Sequence, residues 1–140
     1  MERRDFIGRC GLICAAGIGG MTLLSVTGCA SPDYAKSTFE GNKLKVLKAD
    51  FPLDKQFIVL KNPVGEHPIY VHRAGSGYNA LLLECTHKGC TVKPSGDELK
   101  CPCHGSEYYN SGAVKKGPAQ RSLKEYNVTS EADAIFVVIA

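Results

Sequence analysis

The sequence has little net charge, no tryptophan and no clustered basic stretch, and these absences narrow the possible functions. Lys and Arg number 17 against 14 Asp and Glu, so the net charge is +3, with both signs interspersed. Because electrostatic binding of nucleic acid needs a local excess of basic residues, the composition argues against a nucleic-acid partner. With 44% hydrophobic and 22% charged residues, the chain is neither wholly disordered nor a multi-pass membrane protein.

No segment of helical length has a convincing amphipathic pattern either. Instead, short runs rich in β-forming residues alternate with turns, in a chain with 15 Gly and 7 Pro. The predicted strands are 44–47, 56–60, 69–71, 80–83, 98–100, 123–128 and 134–139. The sequence therefore predicts an all-β domain over residues 44–140, built as a small sandwich or barrel.

Residues 1–28 are predicted to be a targeting segment. The pair Arg3-Arg4, followed after one residue by Phe-Ile, resembles a twin-arginine export signal. No charged residue occurs from Cys10 to Pro32. Residues 26–29 (Val-Thr-Gly-Cys) resemble a bacterial lipobox, in which Cys29 would be lipidated. The alternative is an uncleaved membrane anchor with an incidental cysteine.

A lipidated Cys29 and an uncleaved membrane anchor both predict the same location for the domain. Residues 29–43 are polar and would form a tether between the membrane and the domain. We therefore expect the domain on the periplasmic side of the cytoplasmic membrane, anchored by lipid or by its N-terminal segment.

Four of the seven cysteines lie in two short motifs, each after a predicted strand. Residues 85–90 read Cys-Thr-His-Lys-Gly-Cys, and residues 101–106 read Cys-Pro-Cys-His-Gly-Ser. Thiolate and imidazole bind both zinc and iron–sulfur centres, so two Cys and two His supply four ligands and leave one Cys per motif. In an oxidising compartment, such spare cysteines form a disulfide. Two alternatives stay open here: two disulfides, or a zinc site built from Cys85, His87, Cys101 and His104.

The two motifs resemble those of the Rieske iron–sulfur proteins. The resemblance implies a Rieske fold, an antiparallel β-sandwich with a small cluster-binding subdomain of loops at about residues 80–120. It also implies one [2Fe-2S] cluster, with Cys85 and Cys101 on one iron and His87 and His104 on the other.

The same resemblance assigns roles to further residues. It implies a disulfide between Cys90 and Cys103. Ser106 and Tyr108 occupy positions whose hydroxyls bond cluster and cysteine sulfur in high-potential members. Gly117-Pro118 resembles the third, proline-bearing loop that covers the cluster.

The ligand set implied by the resemblance predicts the chemistry. Two imidazoles leave the oxidised cluster formally neutral, whereas four thiolates would make it a dianion, so an electron is accepted more easily. Rieske centres span about −150 to +300 mV, and the two hydroxyls favour the upper part of that range. Because imidazole titrates, electron uptake can bring a proton, which suits a quinol donor.

We therefore expect an electron-transfer subunit of a quinol:cytochrome oxidoreductase of the cytochrome bc type. Its partners would be cytochrome b with quinol and a c-type cytochrome. With no nucleophile or substrate pocket apparent, the chain is not expected to be catalytic alone.

One residue favours a different partner. Lys88 stands where quinol-oxidising members commonly have leucine. An alternative is therefore the small Rieske subunit of an exported molybdenum oxidase of the arsenite-oxidase type, reduced by a molybdopterin subunit. An alternative of another class is a zinc-binding interaction module.

Overall fold

The computed structural model describes residues 33–140, which form an almost wholly β domain. The predicted signal or anchor, its lipidation site Cys29 and the start of the predicted tether lie outside the described residues. The strands are β1 Thr38–Glu40, β2 Lys43–Leu47, β3 Phe57–Leu60, β4 Ile69–Ala74, β5 Gly77–Leu82, β6 Lys93–Ser95, β7 Glu98–Lys100, β8 Glu107–Tyr109, β9 Val114–Lys116, β10 Glu125–Ser130 and β11 Ala134–Val138. A single 3₁₀ turn spans Lys48–Asp50 within this range, and none of the described residues forms a helix that could cross a membrane.

Two antiparallel sheets confirm the predicted all-β, antiparallel fold. The larger has the order β1-β2-β11-β10-β5-β4-β3, and the smaller has the order β6-β7-β8-β9. The N–H of Ala35, just before β1, donates to the carbonyl of Val59 on β3 at 2.9 Å. Since β1 and β3 are opposite edges of the larger sheet, this bond ties the segment before one edge strand to the other edge strand, as a curled sheet allows.

The main core lies inside the curled sheet. On β2 the buried residues alternate, because Leu44 and Val46 face inward between more exposed neighbours. They pack in one cluster with Ile58 and Leu60 of β3 and with Ile135 of β11. Strands from both ends of the sheet thus share a core, as the sandwich prediction requires.

A second core supports the cysteine motifs. On β4, Ile69 and Val71 face the main core while Tyr70 faces the second. On β5, Ala80 and Leu81 divide in the same way. These two strands are buried on both faces, which explains their continuous apolar sequence. The second core joins them to the smaller sheet through Leu83, Cys85, Val92, Leu99, Cys101, Tyr108, Ala119 and Leu123.

Four strands were not predicted from the sequence, namely β1, β6, β8 and β9. Three of these strands, with β7, form the smaller sheet within residues 80–120, where the cluster-binding subdomain of loops was expected. The fourth, β1, lies inside the predicted 29–43 tether and pairs with β2, Thr38 opposite Lys45. All three β1 residues are exposed, so no alternation of apolar residues marks this strand.

A side chain at Gly112, in the turn between β8 and β9, should be destabilising. Its φ is +87°, and an added Cβ would lie 2.9 Å from Leu81 Cδ2, which is in the second core. We expect Gly112→Ala to lower the free energy of unfolding by about 2–3 kcal/mol in urea denaturation, from overpacking added to backbone strain. Gly96→Ala is the matched control, with a φ of +61° and no atom within 4 Å. It should lose only about 1 kcal/mol. Equal losses in the two variants would show that the Leu81 contact is unimportant.

Candidate metal centre

The two cysteine motifs are the tips of two hairpins with the same backbone geometry. Pairing of Glu84 with Thr91 closes the first loop, and pairing of Lys100 with Glu107 closes the second. In each loop the N–H of the first cysteine donates to the carbonyl of the sixth residue at 2.8 Å. The N–H of the fifth residue donates back to the first carbonyl, at 2.8 Å in the first loop and 3.1 Å in the second.

Glycine is favoured at the fifth residue of each loop. Gly89 has a φ of +74° and Gly105 a φ of +78°, in the left-handed region that side chains disfavour. The motif Cys-x-x-x-Gly occurs at both 85–89 and 101–105. Sequence reasoning read these as two separate boxes and found no repeat, although this shared spacing was the available signal.

The equivalent first positions carry the two candidate thiolate ligands. Cys85 and Cys101 are each 2% exposed and are free of disulfides. The rings of His87 and His104 pack edge to face, with centroids 4.8 Å apart and an interplanar angle of 84°. The structure therefore brings the two histidines together, on the same two loops that carry the buried thiols.

The two histidines differ in their surroundings. His104 is exposed, whereas His87 is half-buried. Among the described residues, the buried Nδ1 atom of His87 has no hydrogen-bond partner. A buried nitrogen is expected to have a partner, so this atom is free to act as a metal ligand.

The remaining cysteines form the disulfide that the resemblance implied. Cys90 and Cys103 are bonded, which joins the sixth position of the first loop to the third position of the second. The sulfur atoms of Cys90, Cys101 and Cys103 all lie within 4.8 Å of one another. The disulfide therefore clamps the two loops directly beside one candidate ligand.

The Tyr108 hydroxyl is placed to donate to the Cys85 sulfur. It lies 3.3 Å from Cys85 Sγ and 3.1 Å from Thr86 Oγ1, and it accepts the N–H of Thr86 at 3.2 Å. The single hydroxyl proton of Thr86 goes to the Arg121 carbonyl at 2.6 Å, because a carbonyl can only accept. The Tyr108 proton is then left for the Cys85 sulfur or the Thr86 oxygen, and a thiolate is the stronger acceptor. Sequence reasoning assigned Tyr108 from the family but missed Thr86.

These contacts separate the two thiols electrostatically. Burial acts against the thiolate of Cys85, but hydrogen bonds from Tyr108 and from the His87 backbone outweigh it and lower the pKa of Cys85. At Cys101 burial prevails and raises the pKa of the thiol. Burial, and then the hydrogen bond to Cys85, raise the pKa of Tyr108, so its hydroxyl stays protonated and able to donate.

Ser106 connects the second loop to the proline-bearing segment. It is the buried polar side chain of the second loop, with 0% exposure. Its Oγ accepts the N–H of Ala119 at 3.0 Å. Gly117 and Pro118 are exposed just before Ala119. The predicted third loop is thus held to the motif by its backbone.

The donor set fits a [2Fe-2S] cluster bound asymmetrically. Two buried thiols with hydrogen-bond donors supply the sulfur side, and two adjacent imidazoles, one with a free buried nitrogen, supply the nitrogen side. An antiparallel β domain with such paired loops defines the class of mixed-ligand iron–sulfur electron carriers.

The chain belongs to the Rieske [2Fe-2S] domain family, whose profile matches residues 36–127. The cytochrome b6-f complex iron-sulfur subunit of Parasynechococcus marenigrum (strain WH8102) is 34% identical over 137 residues, covering 88% of this chain and 65% of that protein. The corresponding subunit of Synechococcus sp. (strain CC9605) is 46% identical over 63 residues, 44% of this chain and 34% of that protein. The chain thus spans 34% to 65% of the length of these curated relatives.

A solved structure agrees with the sequence comparisons. The cyanobacterial plasma membrane Rieske protein PetC3 from Synechocystis PCC 6803 has a TM-score of 0.55 and 35% identity to this chain, covering 65% of this chain and 93% of that one. Together these findings establish one [2Fe-2S] cluster as the cofactor and exclude the zinc module as the function of the domain.

Removing the Tyr108 hydroxyl should lower the reduction potential and leave the cluster in place. Tyr108→Phe keeps the buried ring and loses the contact to Cys85 Sγ. We expect the potential to fall by about 60 mV, the equivalent of about 1.4 kcal/mol for one electron, since that is the typical strength of such a bond. Redox titration followed by visible absorbance measures the shift. The matched control is Tyr109→Phe, at a half-exposed ring, which should leave the potential unchanged. An unchanged potential in Tyr108→Phe would contradict the assigned bond.

Proposed function

We propose that this chain is the iron–sulfur subunit of a quinol:cytochrome oxidoreductase of the cytochrome bc or b6-f type. Cys85 and Cys101 bind one iron of the cluster, and His87 and His104 bind the other. The observation that carries the proposal is this four-residue set on paired loops, in a chain 34% identical over 88% of its length to a cytochrome b6-f iron-sulfur subunit.

The placement of the histidines supports exchange with a partner at the loop tips. When bound, the cluster supplies one-electron transfer. The sulfur side is closed, because Cys85 and Cys101 are buried. The nitrogen side is open at His104. An imidazole at the surface can exchange a proton with a quinol as well as passing an electron.

The location remains part of the proposal. The paired arginines, the uncharged segment and Cys29 support export and attachment to the outer face of the cytoplasmic membrane. That face is oxidising, in keeping with the disulfide. Quinol chemistry would lie partly on a cytochrome b subunit, so the isolated chain is not expected to turn over.

Isolation of the tagged full chain from its native membranes tests the proposal. We expect the reduced sample to give the electron paramagnetic resonance signal of a Rieske centre, a b-type haem to co-purify, and added quinol to reduce the cluster. Co-purification of a molybdenum subunit with no b-type haem would overturn the proposal in favour of an exported molybdenum oxidase, for which Lys88 is the supporting residue. Zinc in place of iron, with no Rieske signal, would overturn the proposed electron-transfer function.

A further inference from the structure

Positive charge is concentrated in the segments that surround the candidate centre, although the chain as a whole has a small net charge. Residues 84–91, 100–107 and 116–124 hold five Lys and Arg against two Glu, which gives them a net charge of +3. Glu107 already pairs with Lys100 at 3.9 Å. Within the described residues, Lys88, Lys116 and Arg121 are exposed and form no ion pair.

Lys88 is placed beside the centre by the repeat of the two loops. It is the fourth residue of the first loop, and His104 is the fourth residue of the second. Because the loops share one backbone geometry, the Lys88 side chain leaves its loop from the position that carries an imidazole in the other. Lys88 is exposed and directly follows His87 in the chain, so we assign its cation to the histidine side.

Arg121 is fixed to the same side by its backbone. Its carbonyl accepts the Thr86 hydroxyl at 2.6 Å, and the Lys124 carbonyl accepts the N–H of Leu82 at 2.8 Å. Arg121 and Lys124 line a shallow cavity of about 310 Å³ together with His87. Glu84 is the acidic residue of that cavity, so two cations face one carboxylate there.

The opposite end of the smaller sheet has the opposite sign. The turn after β6 contains Asp97, at the far end of β7 from the Cys101 loop. A groove of about 710 Å³ at that end is lined by four aspartates against two lysines, and the residues are Asp33, Asp50, Asp54, Asp97, Lys36 and Lys55. Charges separated in this way along a domain orient a charged partner before contact.

We propose that Lys88, Arg121 and Lys124 form an electropositive docking rim for an electron-transfer protein with an acidic face around its redox centre. The rim rests on the proposed function, because it names the kind of partner that meets the histidine side. Long-range attraction would bring such a partner to the loop tips and keep it from the acidic groove. A basic face would be steered away from the centre.

The electrostatic field at the rim can be tested by the rate at which charged oxidants oxidise the prereduced full chain. The probes are ferricyanide, an anion, and tris(phenanthroline)cobalt(III), a cation. We expect the ferricyanide rate to fall about tenfold between low and physiological salt and the cobalt rate to rise. Lys88→Glu and Arg121→Glu should lower the first rate and raise the second. Lys55→Glu, at the acidic groove, is the matched control and should change neither rate. Rates independent of salt and of both rim variants would overturn the rim.

Binding provides a second readout that does not depend on electron flow. Isothermal titration at low salt uses two soluble c-type cytochromes, one with an acidic and one with a lysine-rich face around the haem edge. We expect the acidic cytochrome to bind more tightly, and the double variant of Lys88→Glu with Arg121→Glu to weaken that binding about tenfold. Equal binding of the two cytochromes, with strong binding to phosphatidylglycerol vesicles, would show instead that the rim meets a membrane and would overturn the proposal.

The outcomes separate this inference from the proposed function. An iron–sulfur signal with no response to rim charge would refute the rim and leave the function standing. A strong response to rim charge in a chain that co-purifies with no b-type haem would refute the function and leave the rim standing.

Discussion

Replacement of His104 by Ala should yield a folded protein that cannot hold the cluster. The imidazole is exposed, and among the described residues its side chain makes no hydrogen bond that the domain would lose. In the proposed ligand set, the main effect is the loss of one iron ligand. An iron that lacks one ligand is open to solvent and is readily lost. Removal of a residue that supports a metal ligand lowers metal affinity roughly 10- to 100-fold, and removal of the ligand itself lowers the affinity further. We expect near-complete loss of iron, acid-labile sulfide and visible absorbance.

His72→Ala is the matched control for this result. His72 lies on β4, and its ring stacks on Tyr70 at a centroid distance of 6.0 Å, away from the loop tips. The control should keep iron and sulfide at the level of the unmodified chain. Far-ultraviolet circular dichroism should show the same β content in both variants. A His104→Ala protein with a full complement of iron would remove this residue from the ligand set.

The strands of the larger sheet were largely predictable because their burial follows simple patterns. The predicted strand 44–47 is observed as β2, and 56–60 is observed as β3 with one residue fewer. The predicted 69–71 and 80–83 are observed as the longer β4 and β5, whose two buried faces gave continuous apolar sequence. Alternating or continuous apolar residues indicate buried strands, and most strands of the larger sheet are buried on one or both faces.

The smaller sheet was predictable only at β7, which lies where expected, at Glu98–Lys100. Pro94 sits in β6, and a proline argues against a strand except at an edge, which is where β6 lies. Strands β8 and β9 have three residues each, too few to show a period. Their pairing depends on the hairpin around the Cys101 loop and is not encoded in local pattern.

The donor types of the candidate site were predictable, but their arrangement was not. Two motifs rich in Cys and His were enough to name the candidate ligands and, with the family resemblance, the Cys90–Cys103 bond. The edge-to-face packing of the histidines and the bond from Thr86 to Arg121 join residues far apart in sequence. Spacing along the chain cannot predict contacts that only the two folded loops create.

Loss of the disulfide should destabilise the site, because the two loops are then no longer joined, although the four proposed ligands are still present. The bond closes a loop with a sequence separation of 13, and cross-links of that size contribute about 3 kcal/mol. In the Cys90→Ala, Cys103→Ala double variant, we expect the free energy of unfolding to fall by about that amount. We also expect faster release of iron, since the first loop is no longer tied to the second beside Cys101.

Reduction provides the matched comparison for the double variant, because it breaks the same bond without changing the sequence. The unmodified chain, treated with a phosphine reductant and then denatured in urea, should lose the same stability as the double variant. The double variant itself should be insensitive to the reductant, since its other described cysteines, Cys85 and Cys101, form no disulfide. If the double variant released iron no faster than the oxidised chain, the clamp would be a feature of overall stability with no part in holding the two loops around the cluster.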